Sequence, residues 1–332
     1  AGDAVEEKRR KRALNRRVEV KWFEEKEKLV ALSEMKEIQM KSRGIDPRKT
    51  NPGMKKADEE EKGKSLVSSV NGTAVELFRQ LAKEAPDKNI LLSPHSIGQA
   101  MLMTRLGASG ATEEELNKVL QLGDKPLKTL ISEVAHLRAE LEKAGGENTT
   151  FNSANALALV GEAGSALPEF EKTLSTDFGA EVIPKADVDS INGWVSDQTK
   201  GKIEKLVENL DPESRLVLLN ALYFKADWVD QFDKDLTEPG DFTLSDGKKI
   251  KVPMMSDQRK VGLVVQDDYR ALALPYQGGN FVWIAVLPNE DKAEKFLTGG
   301  LSEEEWATLV EQGASPGGRE VRIQIPRFEL ED

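Results

Sequence analysis

Between residues 65 and 332 the spacing of apolar side chains changes character once. Stripes of helical period fill the first half and apolar runs of strand length fill the second. That order is the one expected of an α+β fold with large, mainly antiparallel sheets. Val67, Val70, Ala74, Leu77, Phe78 and Leu81 form the first stripe, closed by Pro86. Asn89 to Leu92 reads as a short strand entering Ser93-Pro94-His95-Ser96, where Ser96 is placed to cap a helix carrying Ile97, Ala100, Met101 and Met103 and ended by Gly107. Thr112 and Glu115 have the spacing of a capping box. Pro126 sits where a first-turn proline opens a helix with Leu127, Leu130, Ile131, Val134 and Leu141, stopped at Gly145-Gly146.

Two apolar runs lack polar alternation: Phe151 to Val160, with Asn155 in its middle, and Arg215 to Lys225, with Asn220 in its middle. Such runs predict strands covered on both faces. Phe242-Thr243-Leu244 and Ile250-Lys251-Val252 alternate around Asp246-Gly247, a hairpin signal, and Gly278-Gly279 predicts a second hairpin ahead of Phe281 to Leu287. Ser302 and Glu305 form another capping-box pair, and Val321, Ile323 and Ile325 alternate toward Pro326. The longest apolar runs are strand-sized, well short of a membrane-spanning helix.

Residues 1–43 differ from all of this. They are charged, lack Pro and Gly after Gly2, and place Leu14, Val18, Trp22, Leu29 and Leu32 at helical spacing, which predicts one exposed amphipathic helix. Lys8, Arg9, Arg10, Lys11, Arg12, Arg16 and Arg17, with Trp22, make it a candidate interaction arm for nucleic acid, an anionic membrane or an acidic protein face; a solvated helix accounts for the same residues. Residues 44–64 read as a linker, so the expected organisation is an extension at 1–43, a linker at 44–64 and a core at 65–332. Charge follows the same division. The first 65 residues carry 19 Lys/Arg against 14 Asp/Glu, and the remainder carries 28 against 44.

The chemistry of catalysis is poorly represented. There is no cysteine, so disulfides, thiolate nucleophiles and sulfur-bound zinc are excluded, and the two histidines, His95 and His136, read as structural. A Gly-x-Ser-x-Gly match at Gly313-Ala314-Ser315-Pro316-Gly317 follows a helix instead of a strand, and Pro316 lacks the N–H an oxyanion hole needs. No phosphate loop or dinucleotide fingerprint is present, and no cofactor is expected. Glu113-Glu114-Glu115 and Glu303-Glu304-Glu305 fall in first helical turns, where carboxylates suit the helix dipole. The sequons at Asn71 and Asn148 carry meaning only in a secretory compartment. The chain starts at Ala1 without a signal core, so secreted and organellar addresses both stay open.

Seven stretches resemble serpin signatures and occur in the family's order. They are Asn89-Ile-Leu-Leu-Ser-Pro-His-Ser-Ile97, Leu106-Gly-Ala-Ser-Gly-Ala-Thr-Glu-Glu-Glu-Leu116, Ile191-Asn-Gly-Trp-Val-Ser-Asp-Gln-Thr-Lys-Gly-Lys-Ile203, Leu216-Val-Leu-Leu-Asn-Ala-Leu-Tyr-Phe-Lys225, Val252-Pro-Met-Met255, Leu274-Pro-Tyr276 and Ile325-Pro-Arg-Phe-Glu-Leu330. The resemblance spans about 65–332 and implies helices packed around three mainly antiparallel sheets. It implies suicide inhibition of serine-type endopeptidases, in which a cleaved reactive loop inserts into the central sheet, the family's known instance of strain release. By resemblance, Ser93, Ser96 and Asn220 belong to the shutter under the opening sheet, and Trp228 to the breach where insertion begins. Such roles are structural, and the chain reads as a non-enzyme.

Asn220 within an apolar strand would cost a few kcal/mol if buried without partners. In serpins the partner includes a histidine from the C-terminal segment. No hinge, reactive loop or bait residue is assigned in this sequence, and a core ending at Asp332 would expose strand edges, so a C-terminal segment is expected. A serine-type protease is the expected partner if that loop exists. Otherwise the expectation is a non-inhibitory scaffold or subunit, held among the protein partners of an assembly through the N-terminal helix.

Overall fold

A computed structural model of the chain describes residues 65–328, apart from 86–88, 163, 245–246, 290–291, 294–295, 297–298, 300–301, 303–304, 307 and 311–318. The predicted arm at 1–43, with Lys8 to Trp22, the linker at 44–64 and the serine motif at 313–317 lie outside the described residues. In chain order the elements are α1 (Leu66–Glu84), α2 (Pro94–Gly107), α3 (Ala111–Val119), α4 (Leu127–Ala144), β1 (Thr149–Val160), α5 (Pro168–Asp177), β2 (Ala180–Ala186), α6 (Val188–Gln198) and β3 (Leu216–Ala226). They are followed by β4 (Glu238–Thr243), β5 (Lys249–Val265), β6 (Tyr269–Pro275), β7 (Val282–Pro288) and β8 (Arg319–Pro326). No described helix is long and apolar enough to cross a membrane.

Three sheets arise from these strands. In the first, ordered β2-β1-β3, β1 runs parallel to β2 and antiparallel to β3, in a register from Thr149↔Ala226 to Leu159↔Leu216. The 17-residue β5 serves the other two, pairing β4 over 249–254, β8 over 254–261 and β6 over 262–265, with β7 beyond β6. All pairings around β5 are antiparallel, as the α+β reading requires.

The first sheet is covered on both faces, which is why its strands carry no polar alternation. Leu157 faces Leu102, Met103, Leu130, Val134 and Leu174 from the helices. Ala156, Ala158, Leu219 and Ala221 face Ile191, Trp194 and Val195 of α6 on the other side. Asn192 of α6 fixes the segment before β3: its Oδ1 accepts from the N–H groups of Leu206 (2.8 Å) and Val207 (3.0 Å), and its Nδ2 donates to the Val207 carbonyl (2.8 Å).

Local details depart from the sequence reading in three places. Ser93, not Ser96, caps α2: its Oγ accepts from Ser96 N at 3.2 Å, while Pro94 occupies the first turn, where its missing N–H is harmless. Helix α3 begins at Ala111 behind Gly110, whose φ of 60° suits glycine, so Thr112 falls inside the helix and the box with Glu115 does not form. Residues 89–92 are not a strand, since no described strand pairs with them. The box at Ser302 and Glu305 does form, with reciprocal bonds of 2.8 and 3.1 Å.

Candidate functional site

Side chains along one face of β1 read Phe151, Ser153, Asn155, Leu157, and the facing residues of β3 read Phe224, Leu222, Asn220, Leu218. The middle of an otherwise apolar face is therefore polar. Asn155 is 4% exposed and donates through Nδ2 to the Phe178 carbonyl at 2.9 Å, with Gln99 Oε1 at 3.4 Å. Its Oδ1 accepts from Asn220 Nδ2 at 2.9 Å, across the strand pair, and Ser153 Oγ lies 3.5 Å from the same amide nitrogen. Among the described residues, Asn220 Oδ1 is buried with no hydrogen-bond partner. Half of the Asn220 amide is thus satisfied within the described residues, and the other half carries the desolvation cost of a lost bond, about 1–3 kcal/mol.

Helix α2 supplies the remaining groups. His95 Nε2 and Ser153 Oγ are 2.8 Å apart, and the ring meets Phe151 edge-on with centroids 5.9 Å apart. Burial pushes the His95 pKa below its ordinary value of 6.5, because the neutral ring is cheaper to desolvate. Ser93 and Ser96 are joined hydroxyl to hydroxyl at 2.9 Å on the same turn. The structure therefore links Asn220 through Ser153 to His95, which the sequence reads as structural, on the turn of α2 that also carries Ser93 and Ser96. A cavity of about 110 Å³ lies beside them, lined by His95, Gln99, Arg138, Glu142, Asn152 and Asn155, polar and large enough for water.

Trp228 sits just beyond β3. Its ring stacks on Tyr276 at 4.3 Å and 13°, meets Trp283 edge-on at 5.9 Å, and its backbone bridges to Tyr276. Burial raises the Tyr276 pKa. Aromatic contacts run back from here to α2 without a gap: Tyr276 to Phe224 at 5.2 Å, Phe224 to Phe281 at 5.1 Å, Phe281 to Phe151 at 5.4 Å, and Phe151 to His95. The polar cluster and Trp228 are two ends of one packed string.

His95, whose pKa burial lowers, faces the hydroxyl of Ser153, which belongs to a strand interior. Among the described residues no group of three or more His, Cys, Asp or Glu is placed to hold a metal ion. What the geometry provides is a hydrogen-bonded seam between a helix and two strands.

Comparison with known proteins agrees with the fold and the signatures. The structure superposes on emu ovalbumin with a TM-score of 0.72 at 22% identity, covering 79% of this chain and 73% of ovalbumin. It also superposes on the thermophilic serpin tengpin in its latent state with a TM-score of 0.70 at 23% identity, covering 80% and 71%. Among curated sequences, Iripin-2 of Ixodes ricinus is 32% identical over 278 residues, 80% of this chain and 68% of the relative. Leukocyte elastase inhibitor of Homo sapiens is 34% identical over 284 residues, 80% and 73%. The family model described as Serpin (serine protease inhibitor) matches residues 68–332, and the chain belongs to the serpin family.

Proposed function

We propose that the protein inhibits serine-type endopeptidases by accepting its own cleaved reactive loop as a new strand along the outer edge of β3, and that it has no catalytic activity of its own. The observation that carries this reading is the condition of β3. Among the described residues β3 is paired on one side only, and its Asn220 has a buried, unpartnered oxygen on the helix-facing side. A strand that must admit a neighbour needs a free ladder, and an amide awaiting a donor fits a site completed by another segment. Family membership and relatives named leukocyte elastase inhibitor support a protease as the partner. Ser93, Ser96 and Asn220 then act as the shutter, joined by His95 and Ser153, and Trp228 acts at the breach.

The test is incubation of the full-length protein with elastase-like and trypsin-like serine endopeptidases, followed by denaturing electrophoresis. A covalent complex that survives detergent is expected. Cleavage of the chain by every protease without such a complex would overturn the reading.

A second reading is favoured by one observation, the excess of Lys/Arg in residues 1–65 against the acidic remainder. It makes the core a rigid subunit tethered through residues 1–43 to an acidic protein face, nucleic acid or an anionic membrane. Removing residues 1–43 should abolish such binding, and the binding should weaken steeply with salt; unaffected binding would remove this reading.

A further inference from the structure

The turn between β6 and β7 meets the first sheet through a set of hydrogen bonds and ring contacts. Gly278 and Gly279 both take positive φ, 90° and 73°, which folds the tip back so that Tyr276 and Phe281 pair across it through Tyr276 N and the Phe281 carbonyl at 3.1 Å. Gln277 is presented between them, and every polar atom it has is bonded to the first sheet's upper end. Its backbone N–H donates to the Asp227 carbonyl at 2.8 Å, and its carbonyl accepts from Thr149 Oγ1 at 2.7 Å. Its side-chain Oε1 accepts from Asn148 Nδ2 at 2.7 Å, and its Nε2 donates to the Trp228 carbonyl at 3.3 Å. Asn148 and Thr149 open β1, whereas Asp227 and Trp228 follow β3.

One residue thus ties the start of one strand to the end of its antiparallel neighbour. The two sites are themselves joined, since Asp227 N donates to the Asn148 carbonyl at 3.1 Å, and Val229 N to the Pro275 carbonyl at 3.0 Å. The apolar counterpart is Phe281, set against both members of the cross-strand pair Phe151↔Phe224. By contrast β5, β6, β7 and β8 hold together through their own ladders and the cluster around Ile323.

We propose that Gln277 is a positioning residue, a latch that fastens the β1–β3 pair to the β6–β7 hairpin, and that its release is the step that frees this pair to move as a body. Its link to inhibition rests on the loop-insertion reading above; the latch itself does not. Two of its four bonds come from the side chain and two from the backbone, so Gln277→Ala loosens the fastening without deleting the turn. Each lost bond is worth on the order of a factor of five to ten in local opening.

The experiment is amide hydrogen exchange on the full-length protein, comparing wild type with Gln277→Ala, Asn148→Ala and the double variant. Asn148 is on the surface, so its substitution tests the same bond with little risk to folding. The expected result is exchange roughly tenfold faster at 148–152, 222–229 and 276–281, no change along the β5–β8 ladder, and a double variant less than the product of the two. Unchanged exchange at the three segments, or an equal rise along β5–β8, would overturn the latch. A measurement of complex formation with a protease separates the two ideas. Faster local exchange in Gln277→Ala without any covalent complex in any variant sinks inhibition and leaves the latch, whereas complex formation with wild-type exchange rates does the reverse.

Discussion

The first sheet and the β5-centred sheets are built from similar lengths of chain but on opposite principles. Around β5 the buried cluster is apolar: Ile323, Ile325, Val321, Leu272 and Leu274 are all buried, and β5 is bonded along its length to three neighbours. In the first sheet a polar band of Ser153, Asn155 and Asn220 crosses the middle of the helix-facing side, and β3 has a described partner on one side only. Close packing resists small displacements, while a polar band is held by directional bonds that need a new partner wherever an old one is lost. Under the proposed function the β5 region is the static part and the first sheet the part that moves.

The largest expected effect lies on the static side. Ile323→Ala, at a fully buried position in β8, should lower stability by about 2–5 kcal/mol in urea unfolding, with every probe of structure lost in one transition. If the first sheet stayed folded while β5–β8 melted, the two regions would be independent and the comparison would fail in its present form. Next comes the polar band. Asn155→Leu removes the Nδ2 donor to the Phe178 carbonyl and leaves Asn220 Nδ2 only the long contact to Ser153, and should cost about 1–3 kcal/mol, seen as faster amide exchange across β1 and β3 before any effect on β5.

The comparison can be sharpened by pH. Because burial holds the folded-state pKa of His95 below the ordinary 6.5, the unfolded chain takes up the proton first. Stability is therefore fully present above pH 6.5, falls as the pH drops through the unfolded value, and stops falling once the folded-state value is passed. Arg138 and Glu142 of α4 line the same cavity and are the charged groups facing this region. Replacing His95 by Gln should remove this component of the pH profile while keeping a hydrogen bond to Ser153; an unchanged profile would show that His95 does not titrate on unfolding. The smallest effect is expected at the exposed pair Lys185–Glu162, whose disruption should change stability by less than about 1 kcal/mol in either region.

Much of this contrast could be read from the residues. Asn155 and Asn220 stand out because each interrupts an apolar run, and the unalternating runs announced a sheet covered twice. His95 is read from the sequence as structural but without a partner, and Ser153 is an ordinary strand serine; only the packing of α2 on β1 brings them within bonding distance. The cap of α2 was placed three residues late because Ser93 and Ser96 are equally good cap residues, and the choice is made by Pro94, which fits the first turn. At α3 the backbone of Gly110 pre-empted a side-chain box. Residues 89–92 have strand composition, yet a strand exists only where a ladder partner is present. Gln277 was invisible for a different reason. A polar residue in a turn has no periodicity to betray it, and its partners are more than forty residues away in sequence.

The reach of β5 bears on how the molecule comes off the ribosome. Its flanks can pair at once with β4 and β6, but its middle waits for β8, whose Ile325 meets Met255 across seventy residues of chain. At about 5–20 residues per second, the interval between finishing β5 and finishing β8 is several seconds to over ten. For that time the stretch from Met254 to Val261 carries an unbonded backbone edge. Nascent chains of this protein should accordingly lean on a chaperone during one defined window of synthesis, opening after Val265 and closing once Pro326 has emerged.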